Sequence, residues 1–240
     1  MNLTLKRLRE RIIKNDGDSV LISSEINQRY ISNFKFSDGY IFVLPQKAYV
    51  LTDFRYVEAA NAAVDHSDFV VITPKGSMIS EVARICKEEG IYNIFFEERV
   101  VSYAMYERWR NELTCNLQLS YGASAAFEDL RAEKSDEELA KIAAAQAITD
   151  KAFSHILGMI SPSMTEIDVA LELEFFMRKH GAEGLSFETI AVSGSASSLP
   201  HGVPRNVPLE KGFLTMDFGA VVDGYCSDMT RPVVIGKADD

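Results

Sequence analysis

The feature that most constrains this chain is the alternation of helix-like and strand-like segments over its first half. The strand-like segments are short apolar runs, and the helix-like segments repeat apolar residues every three or four positions. The first predicted element is a helix near 3–15, which Gly17 ends in a left-handed cap. A strand at Val20–Ile22 and a hairpin with arms 40–44 and 48–51 follow. The remaining elements alternate: a helix from about Phe54, a strand at 69–73, a helix at 77–89, a strand at 93–97 and a helix at 102–113. Strands that alternate with helices predict an α/β layered domain.

The pattern changes near residue 128, where a charged stretch precedes a long helix. We therefore expect one domain over 1–127 and a second over 128–240. Ser135 and Glu138 form a capping box at the start of the long helix, and Thr165 and Gly181 bound the next helix. The stripe predicted to pack the long helix on a core is Leu139, Ile142, Phe153, Ile156, Leu157 and Ile160. Strand-like segments follow at 187–192, 213–220 and 221–231.

Composition limits the classes of partner and compartment. A formal net charge of −10 and a pI near 5 argue against nucleic-acid binding, because acidic residues repel a polyanion. No apolar run approaches the roughly 20 residues that span a bilayer, and the chain opens on an amphipathic helix rather than a signal peptide. Three widely spaced cysteines fit a reducing compartment. We expect a cytoplasmic protein that binds neither nucleic acid nor membrane.

Two aspartates carry the strongest chemical signal. Asp217 lies within the apolar segment 213–219, where burial of its charge requires a compensating partner. The dipeptide Asp223–Gly224 predicts a tight hairpin turn that brings Asp228 alongside Asp217. Neighbouring carboxylates repel each other unless one is protonated or a multivalent cation lies between them. Carboxylate oxygens favour Mn²⁺, Mg²⁺ or Ca²⁺, and Zn²⁺ or Co²⁺ when a histidine joins them.

The residues alone leave a structural interpretation open. Asp217 also fits an ion pair with Arg231 or a backbone cap, and Asp228 also fits a solvated turn position. His201 follows the loop of serines and glycine at 193–198, and it fits either a substrate contact or the end of a loop. Spacing does not decide between these interpretations.

Several longer motifs resemble one family. Four motifs lie in the segment 187–236, the first of them beginning one residue earlier. They are Ser-Phe-Glu-Thr-Ile at 186–190, Leu-Pro-His-Gly at 199–202, Met-Asp-Phe-Gly-Ala at 216–220 and Asp-Gly-Tyr-Cys-Ser-Asp-Met-Thr-Arg at 223–231. These motifs resemble the pita-bread metallopeptidases, which include proline-specific aminopeptidases, Xaa-Pro dipeptidases and methionine aminopeptidases. The first half resembles the creatinase-type domain of the proline-specific members, through residues 27–34 and 51–56.

The resemblance implies a creatinase-like α/β domain followed by a partial α+β pita-bread domain. It implies that Asp217 chelates one metal of a dinuclear pair, that Asp228 bridges both metals and that His201 contacts the substrate. The implied cofactors are two divalent ions, with Mn²⁺ first and Co²⁺ or Zn²⁺ behind it. The implied reaction is hydrolysis of the Xaa-Pro bond at the N-terminus of short proline-containing peptides by a metal-activated hydroxide. A homodimer is also implied.

One departure from the family limits these expectations. Members complete the metal site with a later histidine and two glutamates, which do not appear by Asp240. We therefore expect a truncated chain that binds metal weakly and is inactive by itself, because two carboxylates cannot enclose two ions. Two alternatives stay open: a non-catalytic peptide-binding module of the same fold, and a creatinase-like amidinohydrolase. The paired aspartates disfavour both.

Overall fold

The computed structural model describes residues 2–119 and 122–237. Contacts divide the chain into a first unit that ends at Glu133 and a second that begins at Lys134. The first unit extends beyond residue 127 because a helix at Ala123–Ala132 crosses that position and packs on the N-terminal helix. An ion pair between Arg11 and Asp129, 3.0 Å long, joins these two helices.

The first unit contains one mixed six-stranded sheet. Its strands are β1 (Asp18–Ile22), β2 (Tyr40–Val43), β3 (Ala48–Leu51), β4 (Phe69–Ile72), β5 (Asn93–Phe96) and β6 (Asn116–Gln118). They lie in the order β4-β3-β2-β1-β5-β6, and β2 runs antiparallel to both of its neighbours. All other pairs are parallel, so five strands point the same way. This arrangement confirms the expected α/β class.

Helices cover both faces of this sheet, and they are α1 (Leu3–Ile12), α2 (Glu25–Ser32), α3 (Val57–Ala63), α4 (Met78–Glu89), α5 (Tyr103–Glu112) and α6 (Ala123–Ala132). One core lies between the sheet and α1, α2, α3 and α6, and it includes Leu8, Ile31 and Phe127. The other core lies between the sheet and the pair α4 and α5. The sheet is therefore the middle of three layers.

The sequence predictions for this unit need two corrections. Gly17 does not end α1, because the helix stops at Ile12 and Gly17 lacks a left-handed backbone. Gly17 is required for space instead, since an added Cβ would lie 1.9 Å from the ring of Tyr92. Helices α2 and α6 were not predicted. In α2 the buried side chains include Asn27 and Gln28, so the buried face lacks the expected apolar pattern.

The second unit consists of two long helices and two small sheets. The helices are α7 (Asp136–Met159) and α8 (Glu166–Lys179). Ser135 forms the predicted capping box, and Thr165 caps α8 as predicted, in a capping box with Asp168 that was not predicted. The strands are β7 (Gly184–Leu185), β8 (Ile190–Ser193), β9 (Gly212–Phe218), β10 (Ala220–Val222), β11 (Tyr225–Cys226) and β12 (Met229–Ile235). One antiparallel sheet has the order β11-β10-β7, and the other has the order β12-β9-β8.

The predicted buried face of α7 is only partly correct. Ile156 is buried, but Leu139 and Leu157 are about half exposed, at 51% and 50%. The other residues that α7 buries are small: Ala145, Thr149 and Ala152. Small side chains let the helix approach β10 and β11 closely, which a stripe of leucines does not allow. Within the described residues, no helix is both long and apolar enough to cross a membrane.

Candidate metal centre

Asp217 lies on the face of β9 that points away from the helices. Its neighbours on the strand, Met216 and Phe218, are fully buried in the core formed with α7 and α8. Side chains alternate along a strand, so Asp217 lies on the opposite face. Across the sheet it is paired with Ile190 of β8 and Thr230 of β12. The strand therefore places one carboxylate on the face that the core does not use.

Both long strands are interrupted at the same place. Strand β9 ends at Phe218 and β10 begins at Ala220, while β11 ends at Cys226 and β12 begins at Met229. Gly219 occupies the interruption on one side. A Cβ at Gly219 would lie only 2.0 Å from the carbonyl oxygen of Ser227, so glycine is needed for the close approach of the two backbones.

Ser227 anchors the segment that carries Asp228. Its Oγ lies 2.5 Å from Oγ1 of Thr149 on α7 and accepts a hydrogen bond from the backbone N–H of Ala220 at 2.9 Å. Its carbonyl oxygen accepts a hydrogen bond from Oγ of Ser186 at 2.7 Å. Ser227 is itself buried, so these bonds form where water does not compete. These hydrogen bonds fix the backbone of Ser227, and Asp228 is the next residue in the chain.

The strand register brings the two predicted metal ligands to neighbouring positions. Phe218 of β9 is paired with Met229 of β12. Asp217 comes just before Phe218 and Asp228 just before Met229, and the two strands are antiparallel. The two aspartates are therefore diagonal neighbours across the strands. Diagonal neighbours on antiparallel strands are about 7–8 Å apart at Cα, with side chains within reach of each other. The turn at Asp223 and Gly224, with φ of 48° and 83°, is the left-handed hairpin turn predicted from the sequence.

The environments of the two carboxylates differ. Asp217 is half-buried, and its Oδ1 is buried without a hydrogen-bond partner among the described residues. Asp228 is exposed. The alternative in which Arg231 neutralises Asp217 finds no support, since the Arg231 guanidinium donates to the carbonyl oxygen of Thr230 at 2.8 Å. A buried carboxylate oxygen without a donor is where a cation fits.

His201 lies on a separate loop near the same strand. It is exposed, in a turn closed by a hydrogen bond from the N–H of Gly202 to the carbonyl oxygen of Leu199. The preceding 3-10 turn, Gly194–Ser198, contacts β9 through Thr215, whose Oγ1 donates to Ser197 O at 3.3 Å. Among the described residues, His201 makes no hydrogen bond or ion pair with Asp217 or Asp228.

An ion pair between the buried Glu166 and the partly exposed Arg205 holds the loop after His201, and no local sequence pattern indicates it. Glu166 is fully buried, and its two oxygens accept hydrogen bonds from Arg205 at 2.9 and 2.6 Å and from the N–H of Ser193 at 2.7 Å. Burial by itself would raise the pKa of Glu166, but these hydrogen bonds outweigh it and lower the pKa to about 2. A glutamate in a first helical turn usually indicates only a helix start.

The described residues contain no group of three or more histidine, cysteine, aspartate or glutamate side chains arranged to hold a metal ion. Asp217 and Asp228 are thus two carboxylates at diagonal positions of the strand register, and no third such side chain joins them in a group within residues 2–119 and 122–237. Two carboxylates are fewer than a divalent ion usually takes from a protein. The arrangement fits one wall of a metal site.

Known families and structures match both units. Residues 4–132 match the creatinase/prolidase N-terminal domain, and residues 140–240 match metallopeptidase family M24. An uncharacterized peptidase of Bacillus subtilis, YqhT, is 40% identical over 239 residues, which cover 99% of this chain and 67% of that protein. An Xaa-Pro dipeptidase of Pyrococcus horikoshii is 30% identical over 242 residues, covering 100% of this chain and 66% of that protein.

Solved structures give the same result. An Xaa-Pro dipeptidase from Bacillus anthracis superposes with a TM-score of 0.90 at 39% identity, covering 99% of this chain and 66% of that one. An X-Pro aminopeptidase from Thermotoga maritima has a TM-score of 0.85 at 33% identity, covering 93% and 64%. The chain spans about two thirds of the length of the relatives it matches. It belongs to metallopeptidase family M24, as a member with a creatinase/prolidase N-terminal domain.

Proposed function

We propose that this chain is part of a metal-dependent exopeptidase that hydrolyses the Xaa-Pro bond at the N-terminus of short peptides. Relatives named as Xaa-Pro dipeptidases and X-Pro aminopeptidases support the reaction class. The structural observation that carries the proposal is Oδ1 of Asp217, which is buried without a hydrogen-bond donor among the described residues. A metal ion satisfies such an oxygen, and a purely structural carboxylate would have a partner.

In this proposal Asp217 and Asp228 hold two divalent ions, of which Mn²⁺ suits the oxygen ligands best and Co²⁺ or Zn²⁺ come next. When bound, these ions supply a hydroxide near neutral pH. Ser227 and Gly219 fix the backbone beside Asp228, which limits where its carboxylate can reach. His201 donates a hydrogen bond to the substrate carbonyl or to the oxyanion that develops from it.

The proposal extends to the assembly and to the metal affinity of this chain. The acidic net charge and free cysteines fit a cytoplasmic protein, and the homodimer stays a proposal that the family resemblance implies. Peptide bonds before proline resist most proteases because the tertiary amide has no N–H for backbone recognition. Because the described part of the chain brings no third acidic or histidine ligand to the two aspartates, we propose that the chain by itself binds metal weakly and does not turn over peptide.

Metal titration tests the two aspartates directly. Calorimetry with Mn²⁺ should show weak binding to the chain and a loss of at least about tenfold in affinity for Asp217→Asn and for Asp228→Asn. Asp223→Asn is the matched control, because it removes one charge from the same hairpin while asparagine tolerates the left-handed turn. Equal loss in all three variants would show that the site binds by diffuse charge, which contradicts the assignment.

The reaction is tested in a protein that carries this chain within the full length of its relatives. A metal-loaded sample is given a Xaa-Pro dipeptide and a longer Xaa-Pro peptide, and release of the first residue is measured. Cleavage that stops on chelation supports the peptidase. A folded, metal-loaded protein that cleaves neither peptide contradicts it, and binding of the peptides without cleavage favours the non-catalytic module.

A further inference from the structure

The first unit contains a cavity of about 330 Å³ at the end of the sheet where most strands finish. Strands β1 and β5 are parallel neighbours. The chain leaves β1 for α2 in one helical layer, and it leaves β5 for α5 in the other layer. The crevice between two such connections is where open α/β sheets bind ligands. Residues of both layers line the cavity.

One wall of the cavity carries Arg108, the single cationic side chain among the described residues of the lining. This wall is formed by Arg108 of α5 and by the first turn of α4, from Ser77 to Ile79. Ser77 caps α4 by accepting a hydrogen bond from the N–H of Ser80 at 3.0 Å. The N–H groups of Met78 and Ile79 come earlier in the helix and have no partner within it. Together with the guanidinium, they are donors suited to a carboxylate, beside the carboxylate of Glu112 that accepts a hydrogen bond from Oγ of Ser77.

The opposite wall carries acceptors, and one of them has no partner. Gln28 of α2 is 1% exposed, and its Nε2 donates to the carbonyl oxygens of Ile22 at 3.1 Å and of Gly39 at 2.8 Å. Because both partners are carbonyls, the assignment of nitrogen and oxygen in this amide is fixed. Its Oε1 is buried without a donor among the described residues. The carboxylate of Glu25 lies on the same helix and also lines the cavity.

The other two carboxylates on the lining are already engaged. Asp38 forms an ion pair of 3.0 Å with Arg55, and Glu112 accepts a hydrogen bond of 3.1 Å from Oγ of Ser77. Among the described residues, Oε1 of Gln28 has no donor and Glu25 forms no ion pair, so both are open to a donor that enters. An unsatisfied buried acceptor is costly, so a ligand with N–H groups gains by reaching it.

We infer that this cavity binds a free α-amino acid with an apolar side chain. The ammonium is received by Gln28 and Glu25, and the carboxylate by Arg108 and the start of α4. Apolar parts of Tyr40, Met78 and Met105 on the lining receive the side chain. The volume is at the lower end of the range for small-molecule sites, which suits one amino acid better than a peptide. The inference does not depend on the proposed peptidase activity.

The test uses L-leucine and the intact chain with methyl-labelled methionines. Leucine should shift the methyl resonances of Met78 and Met105 and leave those of Met216 and Met229 in the second unit unchanged. N-acetyl-leucine lacks the ammonium and leucinamide lacks the carboxylate, so each should bind at least about tenfold more weakly. Shifts confined to Met216 and Met229 would place the amino acid at the aspartates and overturn the inference, as would no shift at millimolar leucine.

Two arginines on one helix give a matched pair of variants. Arg108→Gln removes the cation on the cavity wall and should weaken leucine binding about tenfold or more. Arg110→Gln is the control, because Arg110 is exposed on the same helix and pairs with Glu107 outside the cavity lining. Both arginines are exposed, so neither variant is expected to unfold the chain. Equal affinity in the two variants would contradict the inference.

Discussion

Gly219 and Ser227 show how single residues determine the geometry of the candidate metal centre. The backbone of Gly219 passes so close to the carbonyl oxygen of Ser227 that no side chain fits between them. The same carbonyl is held by Ser186, so it cannot retreat without losing that hydrogen bond. Asp228 follows Ser227 directly, so its backbone position depends on the absence of a Cβ at position 219.

We expect Gly219→Ala to destabilise the second unit by about 1–3 kcal/mol, because the added methyl forces two backbones apart. Mn²⁺ affinity should fall in the same variant. Gly158→Ala is the control, since Gly158 is exposed on α7 and nothing lies within 4 Å of an added Cβ. That change should stabilise the helix by up to about 1 kcal/mol. Urea titration measures both, and an unaffected Gly219→Ala would contradict the close approach.

The buried Glu166 gives a pH prediction. Its folded pKa of about 2 lies below the usual 4.5, so ionised Glu166 stabilises the fold fully above about pH 5. The contribution falls as pH drops from 4.5 towards 2, and the shift corresponds to about 3 kcal/mol. Glu166→Gln should lose that amount at pH 7, and the gap to the unaltered chain should narrow at pH 3.

Urea midpoints at the two pH values measure this gap. Glu174→Gln on the same helix removes a carboxylate outside the network, and it should change stability by less than about 0.5 kcal/mol. A gap for Glu166→Gln that stays constant from pH 7 to pH 3 would show that ionisation of Glu166 does not stabilise the fold.

At the scale of elements, helix α7 packs on the small sheet that contains β10 and β11, next to the candidate metal centre. Its small buried residues permit close packing on β10 and β11, and Thr149 reaches Ser227 from this face. The capping box at its start satisfies two backbone N–H donors reciprocally, since Ser135 Oγ accepts from the N–H of Glu138 at 3.3 Å and the Glu138 carboxylate accepts from the N–H of Ser135 at 2.8 Å. The start of α7 is thus determined locally.

Ser135→Ala should destabilise the second unit by about 1 kcal/mol, because it leaves a helix N–H without its cap. Ser154→Ala is the matched control in the middle of α7, where the hydroxyl is exposed and donates only to Asp150 O of its own helix. Its effect should stay within about 0.5 kcal/mol. Thermal unfolding followed by circular dichroism compares the two, and equal effects would contradict the role of the cap.

At the scale of the molecule, each unit encloses its own hydrophobic core. The single tryptophan, Trp109, is buried in a core of the first unit, beside Phe96 and Tyr40. Leu214 is buried in the core of the second unit. Tryptophan fluorescence therefore reports on the first unit, whereas circular dichroism reports on helices in both units.

Leu214→Ala should destabilise the second unit by about 2–5 kcal/mol and lower the circular-dichroism midpoint. The fluorescence midpoint should stay in place, because the cavity lies in a core that Trp109 does not share. Leu21→Ala, in the same core as Trp109, is the reciprocal control and should lower the fluorescence midpoint. Movement of both signals together in both variants would show that the units unfold as one.

The sequence by itself determined what depends on neighbouring residues. The α/β alternation, the capping box at Ser135, the helix cap at Thr165 and the hairpin turn at Asp223–Gly224 follow from local chemistry, and the structure confirms them. The family could also be predicted, because its motifs are short and continuous. Asp217 was singled out because a carboxylate inside an apolar strand is costly wherever that strand packs.

Only the tertiary structure decided features that depend on distant partners. Glu166 and Arg205 are 39 positions apart, and no local pattern indicates that they meet. The small residues of α7 are buried and its leucines are exposed because the helix approaches a sheet formed later in the chain. Helix α2 buries Gln28, whose partners Ile22 and Gly39 come together only when the sheet forms. Periodicity records which side chains are apolar, whereas packing determines which of them have neighbours.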